Sequence, residues 1–251
     1  MTLKKEGIIK YIKTPNIDFS LFECVTSTND LLKSEALNGA KEGKVIAALK
    51  QTNGRGRQGK SFISNRGGIY LSILIKPKDI DFDTTLITSA TAVAVCRAIE
   101  DITKQNTAIK WVNDVLINGK KVCGILCESG ICKDNNFIVV GIGLNLYCEA
   151  FADEIRDVAG CVFKTPKTQE FEALTAKIID NFFEIYNTND FLEYYKNKCF
   201  VLGKEISVIK NGREIKAFAL DIDNKCRLKV KYNNREELLS TGEISIKLKE
   251  L

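Results

Sequence analysis

The sequence predicts an α+β protein in which a mixed sheet packs against helices and a small all-β module follows. Apolar, β-branched runs of strand length recur up to residue 146. Segments 84–104 and 168–187 carry apolar residues at spacings of three and four, which is typical of core-facing helices. From residue 203 the pattern changes to short alternating strands, so we predict one domain at 1–202 and a module at 203–251.

The composition is that of an ordinary globular protein. Of 251 residues, 45% are hydrophobic and 27% are charged, and the net charge is +5. No apolar run has membrane-spanning length and the N-terminus lacks a signal-peptide stretch, so we expect a cytoplasmic protein outside membranes. The mild positive charge suits an anionic substrate or an acidic protein partner, whereas nucleic-acid binding usually requires a denser basic face.

The chain has nine cysteines, no histidine and no Cys-x-x-Cys pair. A zinc site would therefore need thiolates at spacings unlike the usual fingers, and no metal ligands are predicted. Buried reduced thiols are the favoured interpretation. The lack of histidine also excludes Ser-His and Cys-His nucleophile schemes.

Seven strands are predicted in the first domain, and 69–75 is predicted to be a central strand of the sheet. Asn118-Gly119 is typical of a type I′ hairpin turn. Ser27 and Thr28 are expected to cap an amphipathic helix, and 191–200 is a third predicted helix. The remaining predicted strands are 21–25, 45–49, 108–112, 114–117, 122–128 and 137–146, and in the module 206–209, 215–220, 227–230 and 244–246, with turns at 211–212, 223–224 and 233–234.

Residues 49–68 form a glycine-rich strip in which five glycines lie among Arg55, Arg57, Lys60 and Arg66, and no acidic residue interrupts it. Glycine permits close backbone approach, and arginine offers a planar fork that matches carboxylate and phosphate. Ordering residues 50–68 would cost on the order of 20–40 kcal/mol of backbone entropy, and few apolar side chains offset it. We therefore predict that the strip is mobile until an anionic ligand binds its arginines.

The stretch Gly54 to Ser61 fits two phosphate-binding patterns by letter, G-x-x-x-x-G-K-[ST] and G-x-G-x-x-G. Both patterns need a helix that begins directly after the glycines, so that its N-terminus meets the phosphates. Residues 62–68 lack helical periodicity and contain two further glycines. Both interpretations are therefore rejected, the phosphate-loop one less firmly.

Seven motifs occur in one order, and together they resemble the biotin–protein ligase (biotin–[acetyl-CoA-carboxylase] ligase) family from about residue 21 onward. They are Ser27-Thr-Asn29, Gly54-Arg-Gly-Arg-Gln-Gly-Lys60, Gly68-Ile-Tyr-Leu-Ser72, Lys110-Trp-Val-Asn-Asp114, Lys121-Val-Cys-Gly-Ile-Leu126, Gly141-Ile-Gly-Leu-Asn145 and Gly242-Glu-Ile-Ser245. The chain departs from the family at Val112, where proline is usual, at Gln58 and Lys60, where arginine is common, and at Phe62, where tryptophan is frequent.

The resemblance implies a class II synthetase-like catalytic fold and an SH3-like C-terminal β-barrel. It implies that biotin and ATP, with Mg²⁺, form biotinyl-AMP, and that biotin then passes to a lysine of a biotin carboxyl carrier protein of a biotin-dependent carboxylase or decarboxylase. The monofunctional type is expected, without the N-terminal DNA-binding domain, so DNA is not an expected partner. A monomer or a homodimer is expected.

The site residues carried over by these motifs fall into three groups. The catalytic residues are Arg55, Arg57 and Lys121; the biotin-binding residues are Ser27, Thr28, Asn29, Gln51, Arg55, Gly56, Arg57, Lys121 and Gly124; and the nucleotide-binding residues are Arg57, Lys60, Phe62, Asn113, Asp114 and Asn145. An acyl-adenylate forms without a protein nucleophile, which agrees with a histidine-free chain. Trp111 is expected in the wall of the biotin site or in the core.

Alternatives remain open at this point. A lipoate or octanoate ligase or transferase shares the fold class, a biotin sensor would bind without catalysis, and a basic nucleic-acid module is a further possibility. Taken without the motifs, Lys121 would be a solvated turn lysine. For Asp114, a role in hairpin hydrogen bonding has equal weight with a role at the nucleotide.

Overall fold

The computed structural model describes residues 3–77, 83–132, 135–151, 153, 155–210, 213–240 and 245–248. The predicted turn at 211–212 and residues 242–244 of the last motif lie outside the described residues. The helices are α1 (Lys5–Ile9), α2 (Thr28–Leu37), α3 (Thr84–Thr103), α4 (Thr168–Thr188) and α5 (Leu192–Lys198), with a 3₁₀ turn at Arg57–Gly59. The strands are β1 (Asp18–Phe22), β2 (Lys44–Ala48), β3 (Gly68–Ile75), β4 (Ala108–Lys110), β5 (Asp114–Ile117), β6 (Lys120–Cys132), β7 (Asn135–Asn145), β8 (Glu205–Lys210), β9 (Arg213–Ile222), β10 (Leu228–Tyr232), β11 (Arg235–Leu239) and β12 (Ser245–Leu248).

The larger sheet has the strand order β1-β2-β3-β7-β6-β5-β4. The β1–β2 pair is parallel and the other neighbours are antiparallel, so the sheet is mixed as predicted. Every residue of β3 is buried, which explains its largely apolar sequence, and β3 lies inside the sheet between β2 and β7, as a central strand should.

Helices cover both faces of this sheet. Helix α2 packs on β2, β3 and β7 around a small cluster that includes Leu32, Ile46 and Val139. Helices α3 and α4 pack against each other, and α3 also contacts β5, β6 and β7 on the opposite face. Among the described residues, no helix is both long enough and apolar enough to cross a membrane.

The C-terminal strands form a second, antiparallel sheet in the order β11-β10-β9-β8-β12. Its connection to the larger domain includes a hydrogen bond from the Trp111 indole N–H to the Cys226 carbonyl, 3.0 Å long. Strand β11 was not predicted, because its sequence Arg-Glu-Glu-Leu-Leu lacks the alternation that marks a strand. The turn before it has positive φ at Asn233 and Asn234, as a type I′ hairpin requires.

Several boundaries differ from the prediction, and two of the differences bear on the site. Strand β1 begins at Asp18 and ends at Phe22, whereas 21–25 was predicted, and Val25 pairs with Gln51 in an isolated bridge. Strand β4 ends at Lys110, and 111–113 form a turn with a cis peptide bond between Trp111 and Val112. Both departures bring chain segments toward the cavity described below.

Candidate active site

A cavity of about 210 Å³ lies between α2, the glycine-rich strip, and strands β3, β6 and β7. Its lining combines hydroxyl, amide and guanidinium groups with the backbone of three strand glycines, Gly124, Gly141 and Gly143. It is lined by Ser27, Thr28, Asn29, Gln51, Arg55, Gly56, Arg57, Gln58, Lys60, Ser61, Phe62, Tyr70, Leu71, Asn113, Asp114, Lys121, Gly124, Ile125, Leu126, Gly141, Ile142 and Gly143.

The start of α2 supplies one polar wall of this cavity. Ser27 is the N-cap residue, and its hydroxyl accepts a hydrogen bond from the Asp30 N–H. The Gln51 side-chain carbonyl accepts from the Thr28 N–H at 2.8 Å and from the Thr28 hydroxyl at 3.1 Å. The Gln51 amide in turn donates to the Ser64 hydroxyl at 2.9 Å. The wall is therefore held in place by hydrogen bonds, with the Ser27 and Thr28 side chains buried.

Asn29 is fixed by hydrogen-bond partners on strands β3 and β6 and packs against β7. Its amide donates to the Leu126 carbonyl at 3.2 Å and to the Glu128 carboxylate at 2.7 Å. Its carbonyl oxygen accepts from the Ser72 hydroxyl at 2.6 Å. The side chain fills the space above Gly141, where an added Cβ would come within 2.4 Å of it. Both amide donors of Asn29 are thus committed to the protein.

Residues 54–62 form a flap over the cavity. The Phe62 N–H donates to the Gly54 carbonyl at 2.9 Å, and the Gly56 N–H donates to the Lys60 carbonyl, so these bonds join the flap to itself. Its tip turns at Gln58 and Gly59, which have φ of 56° and 71°. No helix begins after the glycines, because 60–67 continue directly into β3.

Two arginines of the flap contact different segments of the domain. The Arg55 guanidinium pairs with the carboxylates of Asp30, on α2, and Glu128, on β6, the second at 3.2 Å. The Arg57 guanidinium donates to the Asn113 side-chain oxygen at 3.1 Å. Arg55 therefore lies at the rim of the cavity, and Arg57 lies across its floor toward the β4–β5 turn.

The floor is a cationic cluster arranged around Asp114. The Lys121 ammonium lies 2.7 Å from the Asp114 carboxylate. Burial lowers the pKa of Lys110, an effect that Asp114 opposes and that Lys121 and Lys60 reinforce. Burial also lowers the pKa of Arg57, again against the attraction of Asp114. These three lysines and Arg57 surround one carboxylate, that of Asp114. The cluster therefore has an excess of positive charge that suits an anion.

The aromatic ring of Phe62 lies on the sheet where glycines leave room. An added Cβ would come within 2.5 Å of the ring at Gly143 and within 3.0 Å at Gly124. The Lys121 ammonium also lies 5.7 Å from the ring centroid. Gly124 was predicted to let the backbone approach a ligand; in this structure the Phe62 and Lys121 side chains occupy the space beside it.

A second cavity, of about 930 Å³, adjoins the first. Both cavities are lined by Ser61, Phe62, Tyr70, Asp114 and Lys121. The second also has walls from Ile63, Asn65, Arg66, Gly67, Gly68, Lys110, Leu116, Gly119, Asn145, Tyr147, Cys148, Ala150, Phe151, Ile155, Asp157, Val158, Ala159 and Phe200. The loop that contributes Val158 is attached to β6, because the Lys121 N–H donates to the Val158 carbonyl at 2.8 Å.

The structure gathers every predicted site residue around these two cavities. Those assigned to biotin line the first cavity, and Asn145 lines the second, where its amide donates to the Gly160 carbonyl at 3.1 Å. Trp111, for which two places were predicted, is 4% exposed in the core and does not line either cavity.

Sequence reasoning missed several polar residues around the cavities. Lys110 lines the second cavity, but no role was predicted for it although it begins the motif Lys110-Trp-Val-Asn-Asp114. Tyr70 lines both cavities and was not predicted to be a site residue. Asp30 and Glu128 hold Arg55. For Ser72 and Tyr70 the available signal was a polar atom inside an otherwise apolar central strand.

Two family models match the chain. Residues 21–145 match the biotin/lipoate A/B protein ligase family, and residues 201–247 match the biotin protein ligase C-terminal domain. The first match contains both the flap and the cationic cluster, and the second contains most of the C-terminal sheet.

Curated relatives agree with these matches. The bifunctional ligase/repressor BirA of Bacillus spizizenii is 40% identical over 142 residues, covering 55% of this chain and 43% of its own length. The chain thus spans less than half the length of that relative. The biotin--[acetyl-CoA-carboxylase] ligase of Mycobacterium tuberculosis is 28% identical over 231 residues, covering 87% of this chain and 85% of its own length.

Solved structures give the same result for the fold. Biotin protein ligase from Aquifex aeolicus, in complex with biotin and ATP, superposes with a TM-score of 0.78 at 27% identity, covering 92% of this chain and 99% of that one. With both family models matched in order and this fold in common, the chain belongs to the biotin/lipoate A/B protein ligase family.

Proposed function

We propose that this protein is a biotin–protein ligase that activates biotin with ATP and transfers it to a carrier-protein lysine. The observation that carries the proposal is the junction of the two cavities. A small polar cavity and a larger one meet at Phe62, Asp114 and Lys121, with Arg57 beside them. This arrangement suits a reaction between two bound molecules, one in each cavity.

Biotin fits the smaller cavity by its chemistry. The ureido ring needs both donors and acceptors in a confined space, and Ser27, Thr28 and Gln51 supply them there. Its carboxylate would then reach the cationic floor at Arg57 and Lys121. Arg57 lines the first cavity and Lys121 lines both, so we assign these two cations to the reacting groups, whereas Arg55 pairs with the carboxylates of Asp30 and Glu128.

ATP fits the larger cavity. Phe62 offers an aromatic face for adenine, and Asp114 and Asn145 supply polar and charged groups in the same cavity. Asn113 and Lys60 line the smaller cavity and would meet the phosphates at the junction. The Aquifex aeolicus relative of this fold binds biotin and ATP, which supports placing the same two molecules here.

The chemistry requires charge neutralisation and alignment. A biotin carboxylate oxygen attacks the α-phosphorus of ATP, the bond to the bridging oxygen breaks, and pyrophosphate leaves with that electron pair. The amine of a carrier lysine then attacks the acyl carbon, and AMP leaves with the electron pair of the C–O bond. Arg57 and Lys121 would stabilise the negative charge of the first step, and no protein nucleophile is consumed.

Mg²⁺ is part of the proposal, and the donor set fits it. Among the described residues, no three or more His, Cys, Asp or Glu side chains are grouped as a metal cage. Mg²⁺ is commonly held by one or two carboxylates together with substrate phosphates, and Asp114, which faces both cavities, offers such a carboxylate. The ion would neutralise phosphate charge.

Further features of the proposal follow the family. We assign the catalytic domain to 1–202 and the carboxyl-terminal module to 203–251, with an SH3-like barrel formed from the second sheet. The catalytic domain would adopt the class II synthetase-like fold. The partner is a biotin carboxyl carrier protein, the protein acts in the cytoplasm, and it is a monomer or a homodimer.

The proposal is tested by transfer of labelled biotin. The protein is incubated with ATP, Mg²⁺ and a carrier domain, and pyrophosphate release and label on the carrier are measured. Biotin-dependent pyrophosphate release and labelling of the carrier are both expected. Lipoate and octanoate, as controls, should give neither pyrophosphate nor modified carrier. Activity with lipoate or octanoate alone would identify the other branch of the family, and biotin binding without pyrophosphate release would identify a sensor.

A further inference from the structure

Arg55, Asp30 and Glu128 form an ion triad that connects the flap to two elements of the domain body. Asp30 lies in the first turn of α2 and Glu128 lies on β6, so the flap is held from two sides of the cavity mouth. The backbone hydrogen bonds of the flap, by contrast, join its own residues to one another. Side chains therefore decide whether the flap stays against the body.

Glu128 is built to remain a carboxylate in this position. Burial by itself would raise the pKa of Glu128, but hydrogen bonds from Lys33 and Asn29 and the charge of Arg55 lower it overall. Its side chain is 19% exposed, against 43% for Asp30 and 37% for Arg55. The flap arginine thus docks on a preorganised anion at the edge of the cavity.

We infer that Asp30 and Glu128 are positioning residues that act through Arg55 as a clasp, holding the flap closed so that the bound acid is retained. This inference rests on the proposed function only for the identity of the retained molecule. The clasp acts on opening of the flap and on ligand release, whereas Arg57 and Lys121 act on the reacting groups.

The size of the effect follows from the exposure of the triad. Partly exposed ion pairs contribute about 0.2–1 kcal/mol each, so losing one should increase flap opening by up to about fivefold. Such pairs are screened by salt, so flap opening in the wild type should rise with ionic strength.

The test uses Asp30→Asn and Glu128→Gln in the full-length protein, alone and combined. The matched control is Glu23→Gln, which removes the partner of Arg66, another strip arginine outside the flap, 3.0 Å from Glu23. Amide exchange of 54–62 is followed by mass spectrometry in the ligand-free protein, at low and high salt. Faster exchange by about 1.4- to fivefold in each single variant is expected, with a reduced salt response in the double variant and no change in the control.

Unchanged exchange in Asp30→Asn and Glu128→Gln, or equal acceleration in Glu23→Gln, overturns the clasp. A second measurement compares biotin dissociation with the maximal rate of pyrophosphate release. Faster dissociation at a near-normal maximal rate in Asp30→Asn supports the clasp. A clear fall in the maximal rate of pyrophosphate release, with biotin dissociation unchanged, overturns the clasp, because Arg55 would then act in the chemistry.

The two proposals fail in different ways. If the wild type neither binds biotin nor releases pyrophosphate, the proposed function is wrong. The exchange measurement, made without ligand, still decides the clasp.

Discussion

The Phe62 ring lies against Gly143, so closely that a Cβ on that glycine would come within 2.5 Å of it. Gly143→Ala should therefore displace the ring, which belongs to a flexible side chain, and leave the strand in place. If Phe62 stacks on adenine, the KM for ATP should rise by about fivefold to a hundredfold, since such stacking contributes about 1–3 kcal/mol. Steady-state pyrophosphate release at varied ATP concentrations measures this.

The matched comparison is Gly143→Ala made in the Phe62→Ala background. There the added methyl group meets no ring, so the second substitution should change KM little. Equal effects of Gly143→Ala with and without Phe62 would show that the glycine acts through something other than this ring.

Arg57→Ala should abolish most adenylate formation and leave the fold intact. Loss of one preorganised donor to developing charge commonly costs about 10²–10³ in rate. The measurement is biotin-dependent pyrophosphate release, alongside the thermal midpoint. Lys50→Ala, an exposed cation of the same strip, is the control and should keep normal activity. Near-normal release from the Arg57 variant would contradict the assignment.

Glu100 should contribute stability that is lost in acid. Burial alone would raise its pKa, but hydrogen bonds from Lys198, Thr107 and Tyr194 lower the pKa to about 2, from 4.5. Because the folded value lies below the unfolded one, the stabilisation is complete above about pH 4.5 and is lost as pH falls toward 2. Urea midpoints across this range should fall less steeply in Glu100→Gln than in the wild type; identical slopes would contradict the prediction.

The buried thiols should resist modification in the native protein. Burial raises the pKa of Cys96 to about 12 and of Cys226 to about 11, so neither forms much thiolate near pH 8. Cys24 is exposed. Alkylation followed by mass spectrometry should label Cys24 first and should label Cys96 and Cys226 only after unfolding. Early labelling of Cys96 would show that the core around it opens.

The mobility of the strip stays a prediction. Hydrogen exchange of 54–66 should slow when biotin and ATP bind, because the arginines gain anionic partners. Comparable protection with and without ligand would contradict it. The ion triad of Arg55 already provides one set of partners in the ligand-free protein, so protection there should be partial rather than absent.

Much of the fold was predictable because local sequence carried strong signals. The apolar run of β3 and the spacing of α3 and α4 marked buried elements, and Asn118-Gly119 marked a hairpin whose two residues have positive φ. Strand β11 and helix α1 were not predicted, because β11 is rich in charged residues and α1 has only five residues, one of them a glycine. Elements of that kind form through tertiary pairing, which local propensity does not report.

For the site, the sequence by itself determined which residue types gather and in what order, since its motifs place hydroxyls, arginines, a lysine and glycines at strand and helix ends. Only the tertiary structure decided which partner each of these site residues has. Arg55 and Arg57 are two residues apart in one strip, yet one pairs with Asp30 and Glu128 and the other with Asn113. The partners come from α2, β6 and the β4–β5 turn, and contacts between such distant segments depend on how the sheet and helices pack.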